Sequence, residues 1–274
     1  MKLHLTTYII VIMFCSVVTC AQSTAPYLIL KTSYDFAANP QKLNEATVVL
    51  NGKTYTKGVY GSYGKGFTIL AGIGKMINNT FGFELNAEYI FGNKVTATYT
   101  ESEDNTSGSS SQYVRSLLFK PVIVIRNSGD LLSIYTKLGL AISTATNRYG
   151  DGNVLTVIDN QSLQFTFKSI ETVKAKVGFT ACFGLAFRIS PSSSFFTEIN
   201  GQMISLPITR GRYTSYAING VDQLPQLRVV DKSWVYKKSG YFQGTPNPNE
   251  PEPRLYEPAN LSNIGIGMGI LYHF

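Results

Sequence analysis

The sequence predicts an all-β fold, an antiparallel up-and-down β-barrel of eight strands that crosses a membrane. Three observations support this prediction. Polar and apolar residues alternate along eight segments, short and long connections alternate between these segments, and charged residues avoid one face of each segment. The composition agrees, because 44% of the 274 residues are hydrophobic and 15% are charged, the reverse of a disordered chain.

The chain begins with the pattern of a secretory signal peptide. Lys2 precedes an apolar run over residues 8–18, and small residues lie at the two positions that signal peptidase reads before a cut after Ala21. We therefore expect residues 1–21 to be a signal peptide. Acylation of Cys20, which would make the exported chain a lipoprotein, is left open as the alternative.

Eight segments of the expected barrel domain, residues 22–274, alternate as strands do. In the last segment, every even position from Ile264 to Phe274 is apolar or aromatic, and most odd positions are glycine or polar. Helical spacing cannot produce this pattern. The predicted strands lie at 27–36, 64–75, 81–100, 113–126, 131–145, 173–189, 195–204 and 263–274. Ten strands are the alternative, if the segment from Val229 to Tyr236 enters the wall.

The connections between these strands alternate in length. The short ones lie at 76–80, 127–130 and 190–194. The long ones lie at 37–63, 101–112, 146–165 and 205–260. In membrane barrels, short turns face the periplasm and long loops face the exterior. An even number of strands would then leave both termini in the periplasm.

Within the spans expected to cross the membrane, charged residues occupy one parity of the predicted strands, and the other parity is apolar. A soluble β-sandwich would bury the apolar face, but glycine is frequent on the polar face and aromatic residues gather at strand ends, which favours a membrane barrel. The inward charged residues are Lys31, Asp35, Glu84, Glu88, Lys120, Lys137, Lys174, Lys176, Arg188 and Glu198. Because an eight-stranded barrel is just wide enough for side chains to fill it, we expect a charge network that plugs the lumen. A narrow path that favours anions is the alternative.

The two ends of the predicted barrel carry a resemblance to a known family. The opening Tyr27–Tyr34 and the ending Met268–Phe274 resemble the first and last strands of the small outer-membrane β-barrel family, the OmpA-like and porin-like barrels of didermal bacteria. The last strand is similar to the family's C-terminal assembly signal, with Ile270, Tyr272 and Phe274 at alternate positions. The resemblance implies insertion into the cell outer membrane through the outer-membrane assembly machinery.

The partners that this resemblance implies are outer-membrane lipid and lipopolysaccharide. The chain has 24 Lys and Arg residues against 17 Asp and Glu residues, a balance that suits anionic lipopolysaccharide. An exported barrel does not meet nucleic acid, so no nucleic-acid partner is expected. A protein partner in an envelope complex is a further expectation.

The sequence predicts neither an enzyme nor a cofactor site. His273 is the single histidine after cleavage and lies next to the C-terminus, whereas hydrolases of this shape need a histidine base. Glu84 and Glu88 are about 13 Å apart along one strand, too far to share a proton. Cys182, the one remaining thiol, lies among small inward residues and is expected to fill space. We expect no metal, no cofactor and no catalytic residue.

The longest connection is the main candidate for function. Its aromatic and basic residues could form a partner-binding patch, or they could fold the connection onto the barrel mouth. The candidate binding residues are Lys232, Trp234, Tyr236, Tyr241 and Phe242. The expected function is that of a structural or surface protein that presents loops to a partner or matrix. An accessory subunit of a larger outer-membrane complex and a narrow porin-like channel for small solutes are the alternatives.

Overall fold

The computed structural model describes residues 25–50, 53–101, 106–129, 131–158, 161–238 and 247–274. The predicted signal peptide, residues 1–21, lies outside the described residues, and so does the choice between cleavage after Ala21 and acylation of Cys20. The described chain is dominated by β-strands, which form one sheet. No helix in these ranges is long and apolar enough to cross a membrane.

Eighteen strands follow one another along the described chain. The first nine are β1 (Tyr27–Ala37), β2 (Gln41–Leu50), β3 (Lys53–Gly61), β4 (Gly66–Met76), β5 (Phe81–Gly92), β6 (Val95–Glu101), β7 (Thr106–Ser128), β8 (Leu132–Ser143) and β9 (Thr146–Ile158). The others are β10 (Gln161–Val173), β11 (Val177–Ser190), β12 (Ser193–Met203), β13 (Ser205–Ile218), β14 (Val221–Asp222), β15 (Ser233–Lys237), β16 (Glu252–Leu255), β17 (Pro258–Asn260) and β18 (Asn263–His273). A 3₁₀ turn at Leu224–Gln226 and the helix α1 (Val229–Lys232) lie between β14 and β15.

Eight of these strands close a barrel. The order around the wall is β1, β4, β5, β7, β8, β11, β12, β18 and back to β1, and every neighbouring pair is antiparallel. Closure pairs both edges of each wall strand, so the wall has no free edge. The predicted eight-stranded barrel is confirmed. The ten-stranded alternative is wrong, because Trp234 lies on β15, which pairs with β13 outside the wall.

The two ends of the barrel differ. The lower end holds the short turns and the paired residues Tyr27 and His273. At the upper end, the connections predicted as long loops are largely strands. β2 and β3 form a hairpin, β6 and β9 flank the first half of β7, and β10, β13, β15 and β16 extend the sheet. We call β9, β10, β13, β15 and β16 the platform.

Alternation along the wall strands gives the barrel two different faces. The outer face is an exposed apolar band, and charged residues reach it at its two rims, through Lys75 and Arg115. Members of the band that are more than half exposed include Leu30, Ile73, Leu138, Phe179, Phe183, Ile199, Met203, Ile264, Ile266, Met268 and Ile270. The inner face carries the remaining wall charges together with glycine and small polar residues.

The interior holds two apolar clusters, one above the other. The lower apolar cluster consists of Tyr27, Ile29, Leu70, Met76, Val124, Tyr135, Ala186, Phe196 and Leu271. The upper apolar cluster consists of Leu43, Tyr63, Ile90, Val114, Leu118, Ala141, Val173, Ile204, Leu206, Ile208, Ala259 and Leu261. Inward glycines make room for rings, because a Cβ at Gly184 would lie 2.4 Å from the Tyr135 ring and one at Gly269 would lie 2.6 Å from the Phe196 ring. Glycine on the inner face therefore reflects a filled lumen.

Candidate functional site

A network of buried ion pairs lies in the lumen, where inward residues of five wall strands converge. Register places β1 opposite β4 and β4 opposite β5, so that inward side chains of β1 and β5 meet inside the wall. The lumen charge network consists of Lys31, Glu84, Glu88, Lys120, Lys137 and Glu198. Three lysines balance three glutamates, so these six side chains carry no net formal charge.

Lys31 joins Glu88 to Glu198, and Lys120 pairs with Glu88. Lys31 Nζ lies 2.8 Å from Glu198 Oε1 and 3.8 Å from Glu88 Oε2. Lys120 Nζ lies 2.5 Å from Glu88 Oε1. All four residues are buried. A buried charge without its partner is strongly unfavourable, so each member depends on the others.

Lys137 joins the remaining glutamate to the same chain of pairs. Its Nζ lies 3.0 Å from Glu84 Oε2 and 3.6 Å from Glu198 Oε2. Tyr27 donates its hydroxyl to Glu84 Oε1 at 3.0 Å, and Tyr135 donates to Glu198 Oε2 at 2.9 Å. These two tyrosines also belong to the lower apolar cluster, so the network and that cluster are joined by hydrogen bonds.

Asp35 lies above the network and is held by neutral donors. The amides of Asn200 and Asn263 donate to its carboxylate at 3.2 and 3.0 Å, and the Ser33 hydroxyl donates at 3.2 Å. No ion pair of Asp35 occurs among the described residues. It is thus a buried neighbour of the network and is satisfied by polar side chains that sequence analysis did not single out.

Three of the predicted lumen residues lie elsewhere. Lys174 and Lys176 are exposed in the connection before β11, because the strand begins at Val177 and not at the predicted position 173. Arg188 is exposed near the lower end of β11, beside a register shift between Arg188 and Ser190. In each case the alternation of the sequence continues beyond the part of the strand that faces the lumen.

The network is closed off along the barrel axis. A cavity lined by Lys31, Lys120 and Lys137 has a volume of ≈ 30 Å³. A space of this size has room for a few water molecules at most. The lower and upper apolar clusters lie on either side of the charges, and Leu118 of the upper cluster is fully buried. Cys182 contacts the network, with its thiol 3.3 Å from Glu198 Oε2.

A second set of polar residues lies at the upper end and is centred on the buried Arg148 of β9. Its Nη1 donates to Glu257 Oε1 at 2.8 Å and to the Tyr63 hydroxyl at 3.2 Å. Its Nε donates to Glu171 Oε2, and its Nη2 donates to the Tyr236 hydroxyl at 3.2 Å. We call Arg148, Glu171, Glu257, Tyr63, Tyr236 and Trp234 the mouth cluster.

Glu171 of β10 holds β15, a strand of the longest connection, in place. Trp234 donates its indole N–H to Glu171 Oε1 at 3.0 Å, and Tyr236 donates its hydroxyl to the same atom at 2.9 Å. The Trp234 ring is buried and lies under the Arg254 guanidinium, 4.2 Å from its carbon atom. Gly211 leaves the space for this ring, because a Cβ there would lie 2.4 Å from it.

Burial and charge set the ionisation of the mouth cluster. Burial raises the pKa of Tyr63 to about 12. Burial and then the Glu171 carboxylate raise the pKa of Tyr236 above its usual range. Burial opposes the charge of Arg148, but the neighbouring Tyr63 and Glu171 outweigh this effect and raise its pKa. At neutral pH both phenols are therefore protonated donors and the guanidinium is charged.

The predicted partner-binding patch is corrected in part. Trp234 and Tyr236 are turned inward to Glu171, because the long connection needs buried contacts to be ordered, so they are not an exposed surface. Lys232 is half-buried in α1. Tyr241 and Phe242 lie outside the described residues. The alternative expectation, that these aromatic residues fold the connection onto the barrel mouth, agrees with the contacts of Trp234 and Tyr236.

The residues of the predicted assembly signal lie along β18 and just after it. Ile270, Tyr272 and Phe274 are 53%, 48% and 68% exposed on the outer face. Their contact with assembly machinery stays a prediction. Among the described residues, no group of three His, Cys, Asp or Glu side chains is arranged to hold a metal ion.

Sequence analysis missed Arg148, Glu171 and Glu257. Arg148 falls in a segment predicted as a loop, and it contacts Glu257, which is 109 positions away in the chain. No local pattern in the sequence predicts a contact between residues so far apart. One sequence pattern could have indicated Glu171. Apolar residues alternate along 161–173, and this alternation places Glu171 on the same face as Val173.

Comparisons with known proteins find small barrels, but with low sequence identity and low TM-scores. No family model and no curated protein matches the chain. Solved structures that are similar to it include Neisserial surface protein A, with 8% identity, 92% of this chain and 98% of that chain covered, and a TM-score of 0.37. The outer membrane protein OprG from Pseudomonas aeruginosa has 10% identity, coverages of 93% and 98%, and a TM-score of 0.43. Ail, the attachment invasion locus protein of Yersinia pestis, has 14% identity, coverages of 92% and 100%, and a TM-score of 0.27.

Scores this low carry no argument about function. The resemblance to small outer-membrane barrels is confirmed at the level of the fold, by the closed wall of eight antiparallel strands.

Proposed function

We propose that the protein is an integral outer-membrane barrel with a sealed lumen, and that it serves as a structural or surface protein whose platform offers a surface to a partner or matrix. The observation that carries this proposal is the neutral lumen charge network, which is buried between two apolar clusters. The proposal includes an orientation in which the lower end and both termini face the periplasm and the platform faces the exterior.

The exposed apolar band supports the membrane location. Monomeric soluble proteins rarely expose so large a continuous apolar surface, whereas lipid covers it at no cost. Backbone pairing around a closed wall also satisfies most of the backbone polar groups that face lipid, with one gap in the β7–β8 pairing between Phe119 and Val122. The neighbours of the band would be outer-membrane lipid and lipopolysaccharide. Ile270, Tyr272 and Phe274 on its lower rim would contact the assembly machinery.

The filled lumen argues against the channel alternative. An ion that crosses the barrel would have to separate Lys31 from Glu198 and then pass through two apolar clusters. Breaking one such buried pair costs about 3–5 kcal/mol. The accessory-subunit alternative depends on a protein partner, and no particular contact of the described residues favours it.

The arrangement of carboxylates also supports a non-enzymatic role. Glu84, Glu88 and Glu198 are each paired with lysine in a closed interior, and no substrate could reach them. Glu171 accepts hydrogen bonds from three side chains, those of Arg148, Trp234 and Tyr236. We therefore assign these groups to holding the fold.

Planar-bilayer conductance tests the sealed lumen. Purified protein that shows the fast mobility of a folded barrel on an unheated denaturing gel is added to the bilayer, and insertion is verified by its protection from protease. We expect no conductance steps. Stepwise currents that change when Lys31 is replaced by Ala would contradict the proposal and support a channel.

Purification from native membranes in mild detergent tests the surface role. A partner bound through the platform should remain with the protein and should be released when the exposed platform residues are altered. A stoichiometric partner that stays bound after those changes, and contacts the wall instead, would favour the accessory-subunit alternative.

A further inference from the structure

An apolar groove interrupts the outer face of the wall where β11 and β12 are paired. Ala181 and Gly201 lie opposite each other in the register and both point outward. The pairs on either side of them are large, with Phe179 opposite Met203 and Phe183 opposite Ile199. Two small residues between two layers of large ones leave a depression with a volume of ≈ 670 Å³.

The groove is open and almost wholly apolar. Phe179 is 71% exposed and Met203 is 65% exposed, so its upper rim stands out from the wall. Leu138 and Ile264 extend it onto the neighbouring strands β8 and β18. An apolar cleft of this shape in a membrane wall fits a hydrocarbon chain.

Four exposed cations lie above this groove. Lys174 and Lys176 occupy the connection that leads down from β10 into β11. Arg210 and Arg212 lie on β13, which continues upward from β12, and they face Thr172 and Ile170 of β10. None of the four makes an ion pair with any residue in the described ranges. Asp231 of the adjacent α1 is itself paired with Arg228 at 2.7 Å.

The two arginines line concave surfaces. Arg210 and Arg212 border a cavity of ≈ 540 Å³ together with Ile170 and Thr172. Arg212 also borders a second cavity of ≈ 510 Å³, on the side of Lys232. Their Cα atoms are about 7 Å apart along the strand. The cations therefore lie at more than one height above the groove.

A molecule that binds both the apolar groove and the four cations needs an acyl chain below and several negative charges above. Arg and Lys bind phosphate through charge-assisted hydrogen bonds. The four cations belong to two segments, the connection before β11 and the strand β13, so a headgroup with more than one phosphate can pair with more of them. A phosphorylated saccharide carries charges at several heights, and its hydroxyl groups can fill the two cavities.

We propose that this face binds a phosphorylated, acylated glycolipid of the outer leaflet, with one acyl chain in the groove and its phosphates on Lys174, Lys176, Arg210 and Arg212. This is the chemistry of lipopolysaccharide. The inference rests on the proposed function, because the groove meets acyl chains when the barrel is in the membrane with its platform outward.

Native mass spectrometry of the detergent-solubilised full chain tests the site, with rough-type lipopolysaccharide as the probe. We expect one tightly retained lipopolysaccharide per barrel. Arg210→Ala with Arg212→Ala should weaken its binding about tenfold or more, since each lost hydrogen bond to a charged group is worth a factor of that order. Gly201→Phe should also weaken it, because the new side chain fills the groove. A Cβ at Gly201 has 3.5 Å to its nearest neighbour, so a side chain can begin there without a backbone clash.

Matched controls separate the site from general effects. Lys53→Ala with Lys57→Ala removes two exposed cations from β3, and Ala71→Phe enlarges an exposed outward residue of β4. Both control variants should bind lipopolysaccharide as the wild type does. Enzymatically dephosphorylated lipopolysaccharide and phosphatidylglycerol should bind the wild type weakly.

Equal binding of dephosphorylated lipopolysaccharide or of phosphatidylglycerol would overturn the inference. So would equal losses in the control variants. Folding of every variant is checked by its mobility on an unheated denaturing gel. If the wild type inserts, does not conduct and yet retains no lipopolysaccharide, the glycolipid site fails while the proposed function stands.

Discussion

The lumen charge network and the mouth cluster hold the same kinds of groups in different ways. In the lumen, each charge lies on a wall strand, and closure of the wall brings partners from different strands together across the interior. In the mouth cluster, one guanidinium joins segments that are far apart in the chain, since Arg148 contacts Tyr63, Glu171, Tyr236 and Glu257. The lumen charge network therefore stabilises the wall, whereas the mouth cluster fixes the connections above it.

The largest expected effect is in the lumen. Glu88→Ala removes the partner of Lys120 and one of the two carboxylates paired with Lys31. We expect the free energy of unfolding to fall by about 3–5 kcal/mol, because Lys120 is left buried without a counter-charge. Urea unfolding of the barrel in lipid vesicles measures this change. Asp222→Ala, at an exposed position of β14, is the control and should have little effect. A small loss for Glu88→Ala would show that the network is dispensable to the wall.

A charge on the outer face of the wall should also lower the free energy of unfolding. Leu138 points outward beside the inward Lys137, so the two positions differ in face but not in height. Leu138→Arg should lower the free energy of unfolding by about 2–4 kcal/mol, because lipid cannot pair the new charge. The same urea titration measures it, with Thr136→Ser as a mild outward control. Tolerance of arginine at 138 would contradict the assignment of the apolar band to lipid.

A change in the mouth cluster should leave the wall intact. Arg148→Ala leaves Glu171 and Glu257 without their cation, and we expect the platform to lose about 1.5–3 kcal/mol of local stability. Limited proteolysis should then cut the connection between β13 and β18 faster, while the heat-dependent gel shift of the barrel stays unchanged. Loss of that gel shift would mean that the wall depends on the mouth cluster, and the two regions would not be separate.

The smallest expected effect is the loss of stability when Tyr63 ionises at high pH. Burial raises the pKa of Tyr63 to about 12, so the protonated phenol is favoured in the folded state. The stability that this group contributes is complete below the ordinary tyrosine pKa of about 10 and is lost as pH rises toward about 12. Phenolate absorbance of the wild type minus that of Tyr63→Phe should therefore appear near pH 12. Ionisation of Tyr63 near pH 10 would show that it is open to water.

The wall was predictable from the sequence because a period of two is a local signal. Lys31, Glu88 and Lys120 follow from the face of each strand, and the closed wall then brings them together. The same signal misled at Lys174 and Lys176, where the alternation continues but the wall strand has not yet begun.

The mouth cluster could not be predicted in this way. Arg148 and Glu257 are distant in sequence, and the platform strands that carry Arg148 and Glu171 depend on pairing among connections of irregular length. Trp234 was ambiguous for a related reason. An aromatic residue in a long connection suits an exposed binding patch and a buried anchor equally well, and its contact with Glu171 decides between them.

The accessibility of Cys182 tests the sealed lumen most directly. This thiol lies against Glu198 in the lumen charge network, and it is the single free cysteine of the described residues. A charged, water-soluble thiol reagent is added to the barrel in lipid vesicles, and mass spectrometry measures modification over time, with Lys53→Cys as an exposed control. We expect rapid modification of the control residue and none of Cys182 until the barrel is unfolded. Rapid modification of Cys182 in the folded barrel would reveal a water path to the network and contradict the sealed lumen.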